Sequence, residues 1–503
     1  MPRLSSRLRV ILLNVVLVAA LVLYVLVANH HFPVRHWLFV TYARAWAAGL
    51  VCLGSALCVG LAATQLLLGT RTQPLLRLGE RLVVSFAIGI WIFVAGLFVA
   101  GLLGWLGRPF FFAWPLLLIA VGAKTTWRQL EAARRHLNRF GFALIRPRGP
   151  LEVAAAFLIL LSLVAIYLQV ITPANLGADA HWYHLPMAEH YATQGRISAF
   201  AEGWYLGAYP QLASLLYTWA FLAPGDLFDR ATLASHLEWL LFLATLASVA
   251  PLARRLIAAP RRLPYAAAAV FAFPGLVLYD SSLLTMADHV LGFWAIPTVV
   301  ALLALGRHHT VRLAVLAGVI TSGALLTKYQ GLYIFVPAAL AVLGLGIRQL
   351  LRRGSFVSAA GPVVAFGAAL LIASSPHWLK NLVFYGDPLY PLLHKHFAAH
   401  PFHARAAEIL DKSYFPPQFA LTGTPLQKVL RTAAALFNFS FVPHDWHGFH
   451  EDRPVFGSLF TLLLPALLFV RAPRRLWLTI AGVHVALAVW FVTSHQDRFL
   501  QGV

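Results

Sequence analysis

Apolar runs long enough to be buried in hydrocarbon return thirteen times along this chain: 10–28, 45–69, 82–104, 109–122, 151–171, 232–250, 265–279, 290–305, 313–327, 331–347, 357–374, 456–470 and 477–492. Lipid offers no partner to a backbone N–H or C=O, so such runs must close their hydrogen bonds internally, as helices. The chain therefore reads as an all-α polytopic membrane protein with about 13 transmembrane helices, several of them short. Composition agrees, with 60% of 503 residues hydrophobic and 11% charged. The basic start, Met1 to Arg9, leads into an apolar run without a small-residue cleavage site, so 10–28 reads as a retained first span. Cys52 and Cys58 lie six apart in one run, point to different helix faces and read as packing residues.

An odd number of spans puts the termini on opposite sides. Twenty-five of the 39 Lys and Arg residues then fall in the segments of one side, which the positive-inside rule makes cytoplasmic. Seven of them (Lys124, Arg128, Arg134, Arg135, Arg139, Arg146, Arg148) sit between the fourth and fifth runs, and pairs follow at Arg254–Arg255, Arg261–Arg262, Arg352–Arg353 and Arg474–Arg475. Most of the 18 acids fall on the outer side. The net charge of +21 is thus explained by orientation and by anionic lipid at the inner leaflet, which removes the case for nucleic acid as a partner. Counting 209–223 as a span would put the later arginine pairs outside, so that run is expected to be re-entrant or interfacial. Four parts follow: a four-span module at 1–150, a membrane core at 151–374 with a first outer loop at 172–231, an outer loop region at 375–455, and C-terminal spans at 456–503.

Against this background the polar residues at the outer edges stand out. The stretch Thr172 to Tyr209 interrupts the apolar pattern with Asp179, Glu189, Glu202 and many His, Tyr and Trp residues. Asp179 is flanked by Ala178 and Ala180 and preceded by Gly177, which leaves room around one carboxylate, and Pro186 and Gly195 bracket a predicted helix at 186–194. Asp288, Lys328, the Lys380–Asn381 pair and Arg498 mark four further outer turns. Ionisable groups at membrane depth are costly and tend to mark function. His181 and His184 flank the same loop, and His444, His447 and His450 recur every three residues beside Pro443 and Gly448, in what reads as loop rather than a zinc-binding helix face. An amphipathic helix is expected near 427–441, lying in the headgroup layer. No nucleotide-binding loop or Ser-His-Asp pattern is present, and no metal site or cofactor is expected.

Four places carry a resemblance. They are Asp179 with Tyr183, His184, Leu185 and Pro186; Asp288; Thr327, Lys328 and Tyr329; and Ser375 to Asn381 with Gly386 to Pro391. In their order and shared outer position they resemble the GT-C fold glycosyltransferases that use polyprenyl-phosphate sugars, in particular bacterial relatives of protein O-mannosyltransferases and lipid A aminoarabinose transferases. The resemblance covers about 151–503, and the four spans before it match nothing in that family. It implies an inner-membrane enzyme whose active site faces the periplasm. Asp179 would deprotonate an acceptor hydroxyl and invert the anomeric carbon, while Asp288 would orient the acceptor or the base. Lys328, Lys380 and Arg498 would hold the lipid phosphate, Arg498 bidentately, with Tyr183, His184 and Asn381 lining the site. Relatives often carry paired acids in the first loop, so the single Asp179 argues against a carboxylate-bound metal. Relatives also continue past the point where this chain ends, at Val503, so the sequence reads as a shortened form. The alternative is a transporter or flippase of a lipid-linked sugar, which would place charges within the spans and show paired halves.

Overall fold

Helices account for the secondary structure throughout the described residues of the computed structural model, which are 6–69, 75–140, 149–172, 176–200, 204–257, 283–397, 405, 408, 421–438, 469 and 472–493. In order they are α1 (Ser6–His31), α2 (Leu38–Leu68), α3 (Leu78–Leu102), α4 (Arg108–Phe140), α5 (Pro150–Val170), α6 (Leu185–Gln194), α7 (Leu212–Phe221), α8 (Leu227–Ile257), α9 (Asp288–Phe293), α10 (Ala295–His308), α11 (Val311–Thr327), α12 (Leu332–Arg353), α13 (Phe356–Tyr385), α14 (Pro425–Asn438) and α15 (Arg474–Thr493). Ten helical stretches among the described residues are long and apolar enough to cross a membrane, α9 and α10 counting as one. The protein is an all-α polytopic membrane protein. The expected spans at 265–279 and 456–470, together with Glu202, Arg261–Arg262, His444, His447, His450 and Arg498, lie outside the described residues.

Small residues set the closest helix contacts. A Cβ at Gly60 would run into the Ser85 carbonyl, and one at Gly89 into the Ala56 carbonyl, so α2 and α3 touch backbone to backbone. Ala56–Gly60 and Ser85–Gly89 are small residues four apart on each helix, the spacing that lets helices approach where no hydrophobic effect drives them together. Cys52 is fully buried and Cys58 backs onto Gly122 of α4, so both cysteines are free and packed. One apolar core runs through α2, α3, α7, α8, α10 and α11, so the first 150 residues share it with the rest of the bundle. By contrast none of the apolar span of α1 is buried against the rest of the bundle.

At ten residues α7 is roughly 15 Å long, about half the hydrocarbon thickness. All ten of its residues are buried, and it packs against α3, α6 and α8. An interfacial helix needs an exposed face, so the short run is inserted among the other helices instead. The helix expected at 186–194 is α6, and the amphipathic one near 427–441 is α14, whose Leu426, Val429 and Leu430 are exposed.

Hydrogen bonds fix which helix ends lie together. Ile197 N donates to Gly101 O (2.9 Å) and Leu106 N to Gly195 O (3.0 Å), which ties the C-terminal end of α3 to the stretch behind α6. At the other end Glu80, in the first turn of α3, pairs with Arg255 in the last turn of α8 (2.6 Å). The bundle thus has an Asp179 end and an Arg255 end.

Candidate active site

Three loops meet at the Asp179 end. Asp179 precedes a π-helical turn, Ala180–His184, that leads directly into α6. Gly177 N donates to Leu284 O (2.9 Å), and a Cβ at Gly177 would strike the Met286 side chain, so glycine lets the first loop lie this close to the turn before α9 without displacing it. Asp288 opens α9, where a helix N-terminus favours negative charge. Lys328 ends α11 in extended backbone, and its neighbour Thr327 accepts a hydrogen bond from the Trp294 indole (3.0 Å). From there the Lys328 ammonium reaches Asp288 Oδ1 at 2.8 Å and Asp179 Oδ2 at 3.4 Å. Side-chain exposure is 13% for Asp179, 10% for Lys328 and 2% for Asp288. One ammonium between two carboxylates offsets their mutual repulsion in a setting where water screens little. Asp179 is the more accessible acid of the two.

A fourth residue belongs to this cluster and escaped the sequence reading. Glu238 is fully buried in α8, and its Oε2 accepts the Thr285 N–H (2.6 Å). Thr285 has φ of 59°, a left-handed conformation that costs a β-branched residue energy and persists only where neighbours impose it. Those neighbours are visible: Ser235 Oγ lies 2.8 Å from Thr285 Oγ1, and Tyr217 donates its hydroxyl to Met286 O (2.6 Å). The strained turn aims Asp288. Glu238 Oε1 and Asp288 Oδ2 are both buried without a hydrogen-bond partner. An acid inside the apolar run 232–250 was the available signal, because an unneeded carboxylate is expensive there.

Aromatic rings connect the acids to the other predicted residues. The rings of Tyr183 and Tyr209 lie 6.1 Å apart, those of Tyr209 and Tyr329 5.4 Å, and Tyr329 stacks on Trp378 at 6.4 Å. His184 is buried and bonds Ser214 Oγ through Nδ1 (2.9 Å), which locks the start of α6 onto α7. Further along α13, Asn381 is buried and donates to Ala208 O (2.9 Å). Lys380, on the same buried face as His377, has no carboxylate within ion-pair distance among the described residues. A buried cation without a protein counter-charge is costly unless an anion joins it.

Two features of the sequence motifs turn out differently in role. Asp387 is buried and holds its own loop, accepting from Leu389 N (2.8 Å) and Leu393 N (3.1 Å). Burial pushes its carboxyl above the usual carboxylate range, against the pull of those two donors. His181 is exposed on the far side of the π-helical turn from Tyr183 and His184. Among the described residues no three His, Cys, Asp or Glu side chains converge as metal ligands would.

The cluster can therefore supply an accessible carboxylate, a second carboxylate and an ammonium to fix it, an aromatic wall, and an uncompensated cation on a neighbouring helix. No family model matches the chain, and neither a curated protein nor a solved structure is detectably similar to it.

Proposed function

We propose that this chain is an inverting glycosyltransferase of the GT-C type, which moves a sugar from a polyprenyl-phosphate donor to an acceptor hydroxyl. The observation that carries the reading is the meeting of Asp179, Asp288 and Lys328 from three distant turns, together with a buried and uncompensated Lys380 on α13. Sugar on a lipid phosphate is already activated, so the reaction needs a base and a place for the departing phosphate. Asp179 takes the proton from the acceptor hydroxyl as that oxygen attacks the anomeric carbon and the C–O bond to phosphate breaks. Lys328 and Asp288 hold Asp179 in place. With its charge shared by two acids, Lys328 is a weaker candidate for phosphate than Lys380. Tyr183, Tyr209 and Tyr329 offer ring faces to a sugar, and Asn381 and His184 brace the walls. The positive-inside pattern supports an extracytoplasmic position for this end, in what we take to be a bacterial-type inner membrane.

A transporter or flippase of lipid-linked sugars is the second reading, and Glu238 favours it as an acid set within a span. One experiment separates them. The purified protein in lipid nanodiscs is offered a panel of radiolabelled polyprenyl-phosphate sugars with water and hydroxyl acceptors. The enzyme reading expects one donor to be consumed, and Asp179→Asn to slow consumption by about 10²–10⁴-fold while donor still binds. Lys380→Met should weaken donor binding. If every donor stays intact while vesicles carrying the protein move the lipid-linked sugar across, the enzyme reading is wrong.

A further inference from the structure

The Arg255 end holds a second polar feature, remote from the acids. Thr64, Gln65 and Leu68 near the end of α2, Leu76 and Arg81 at the start of α3, and Gln129 of α4 line a small open cleft. Three of its polar atoms, Thr64 Oγ1, Arg81 Nε and Gln129 Oε1, are buried with no hydrogen-bond partner. Thr64 is only 2% exposed, so its hydroxyl has nowhere to turn but the cleft or its own helix. Buried polar groups are paired as a rule, and three orphans on one cleft call for a ligand with both acceptors and a donor.

Charge narrows the ligand to an anion. Glu80, next to Arg81 in sequence, is committed elsewhere: its Oε2 accepts from Arg255 (2.6 Å) and from Arg77 N (2.9 Å). No carboxylate lies within ion-pair distance of Arg81 among the described residues. Arg312 reaches Leu68 O (3.4 Å) at the edge of the same cleft and adds a second cation, and the α3 N-terminus adds its dipole. Glu131, the nearby acid on α4, is bonded by the Trp127 indole (3.0 Å). Leu66 on the same turn of α2 and Trp127 and Leu130 on the same turn of α4 expose apolar surface, a setting for acyl chains, and a tryptophan there matches the interfacial aromatic belt.

We propose that this cleft binds the phosphate of an anionic phospholipid of the inner leaflet. Arg81 and the Thr64 hydroxyl donate to the phosphate oxygens, Gln129 accepts from a headgroup hydroxyl, and the chains lie on Leu66, Trp127 and Leu130. The site is independent of the chemistry at the other end.

The test titrates the delipidated full chain in detergent with phosphatidylglycerol, phosphatidylcholine and inorganic phosphate, reading bound lipid by native mass spectrometry and phosphate by its effect on melting. Phosphatidylglycerol should bind most tightly, and Arg81→Gln should weaken it by about tenfold, the scale of one charge-assisted contact. Thr64→Val removes a hydroxyl that has no protein partner, so it should keep the melting temperature and still weaken the lipid. Arg128→Gln, an exposed charge one residue from Gln129, should change neither. Equal loss in Arg128→Gln and Arg81→Gln would mean diffuse attraction and overturn the proposal. Equal binding of phosphatidylcholine, or tight Arg81-dependent binding of inorganic phosphate without lipid, would overturn its assignment to an anionic lipid.

Discussion

Each end of the bundle buries an ion pair, and the two are built to opposite specifications. At the Arg255 end one carboxylate meets one guanidinium at 2.6 Å, and the same carboxylate oxygen also takes the Arg77 N–H. Within that pair the charges balance and Glu80 is only 2% exposed, as in a joint that clamps α3 to α8. At the Asp179 end one ammonium serves two carboxylates, with a third, Glu238, close behind, and two carboxylate oxygens are left without partners. A buried pair that balances has finished its work on folding; a buried cluster with acid to spare carries a cost that folding alone does not explain. On the proposed reading, the difference is that between a structural contact and a chemical one.

That contrast can be broken or sharpened by substitution. The largest effect on stability is expected from Glu80→Gln, which strands Arg255 in a buried site and should cost about 3–5 kcal/mol in detergent unfolding. Folded molecules of that variant should transfer sugar normally, and replacing both partners together, as Glu80→Leu with Arg255→Met, should restore most of the loss. Lys328→Met should lower transfer by about 10²-fold in the molecules that stay folded, as loss of one fixed electrostatic group does, and it should also lower the melting temperature, because it strands two carboxylates. Glu238→Ala removes the acceptor for the Thr285 N–H and should cost about 1–3 kcal/mol. Transfer should fall with it, because the turn that aims Asp288 is no longer held. The smallest effect is expected from a chelator: with Lys328 already bridging the two acids, EDTA should leave the transfer rate unchanged.

Much of the fold was legible because hydrocarbon allows so few solutions. Eleven of the thirteen apolar runs correspond to described helices, the run at 313–327 giving the 17-residue α11, and the other two lie outside the described residues. Lys328, Asp179 and Asp288 were picked out as charges that the membrane makes expensive, yet nothing in the sequence could show that one ammonium bridges the other two across separations of 149 and 40 residues. Glu238 has no motif around it, and its place inside the apolar run 232–250 was the telling fact. The strain at Thr285 had no sequence signature, since left-handed backbone is ordinarily marked by Gly or Asn. The cleft at the Arg255 end was hidden for a different reason: its polar atoms come from three helices and form no motif.

The most direct measurement compares Asp179→Asn and Glu80→Gln side by side, with transfer from the polyprenyl-phosphate donor and the melting temperature taken on the same preparations. The account predicts a double dissociation, in which Asp179→Asn melts like the parent but transfers about 10²–10⁴-fold more slowly, and Glu80→Gln melts early but transfers at the parent rate below its transition. Asp179→Asn with parental transfer, or transfer lost in both variants in proportion to stability, would contradict it.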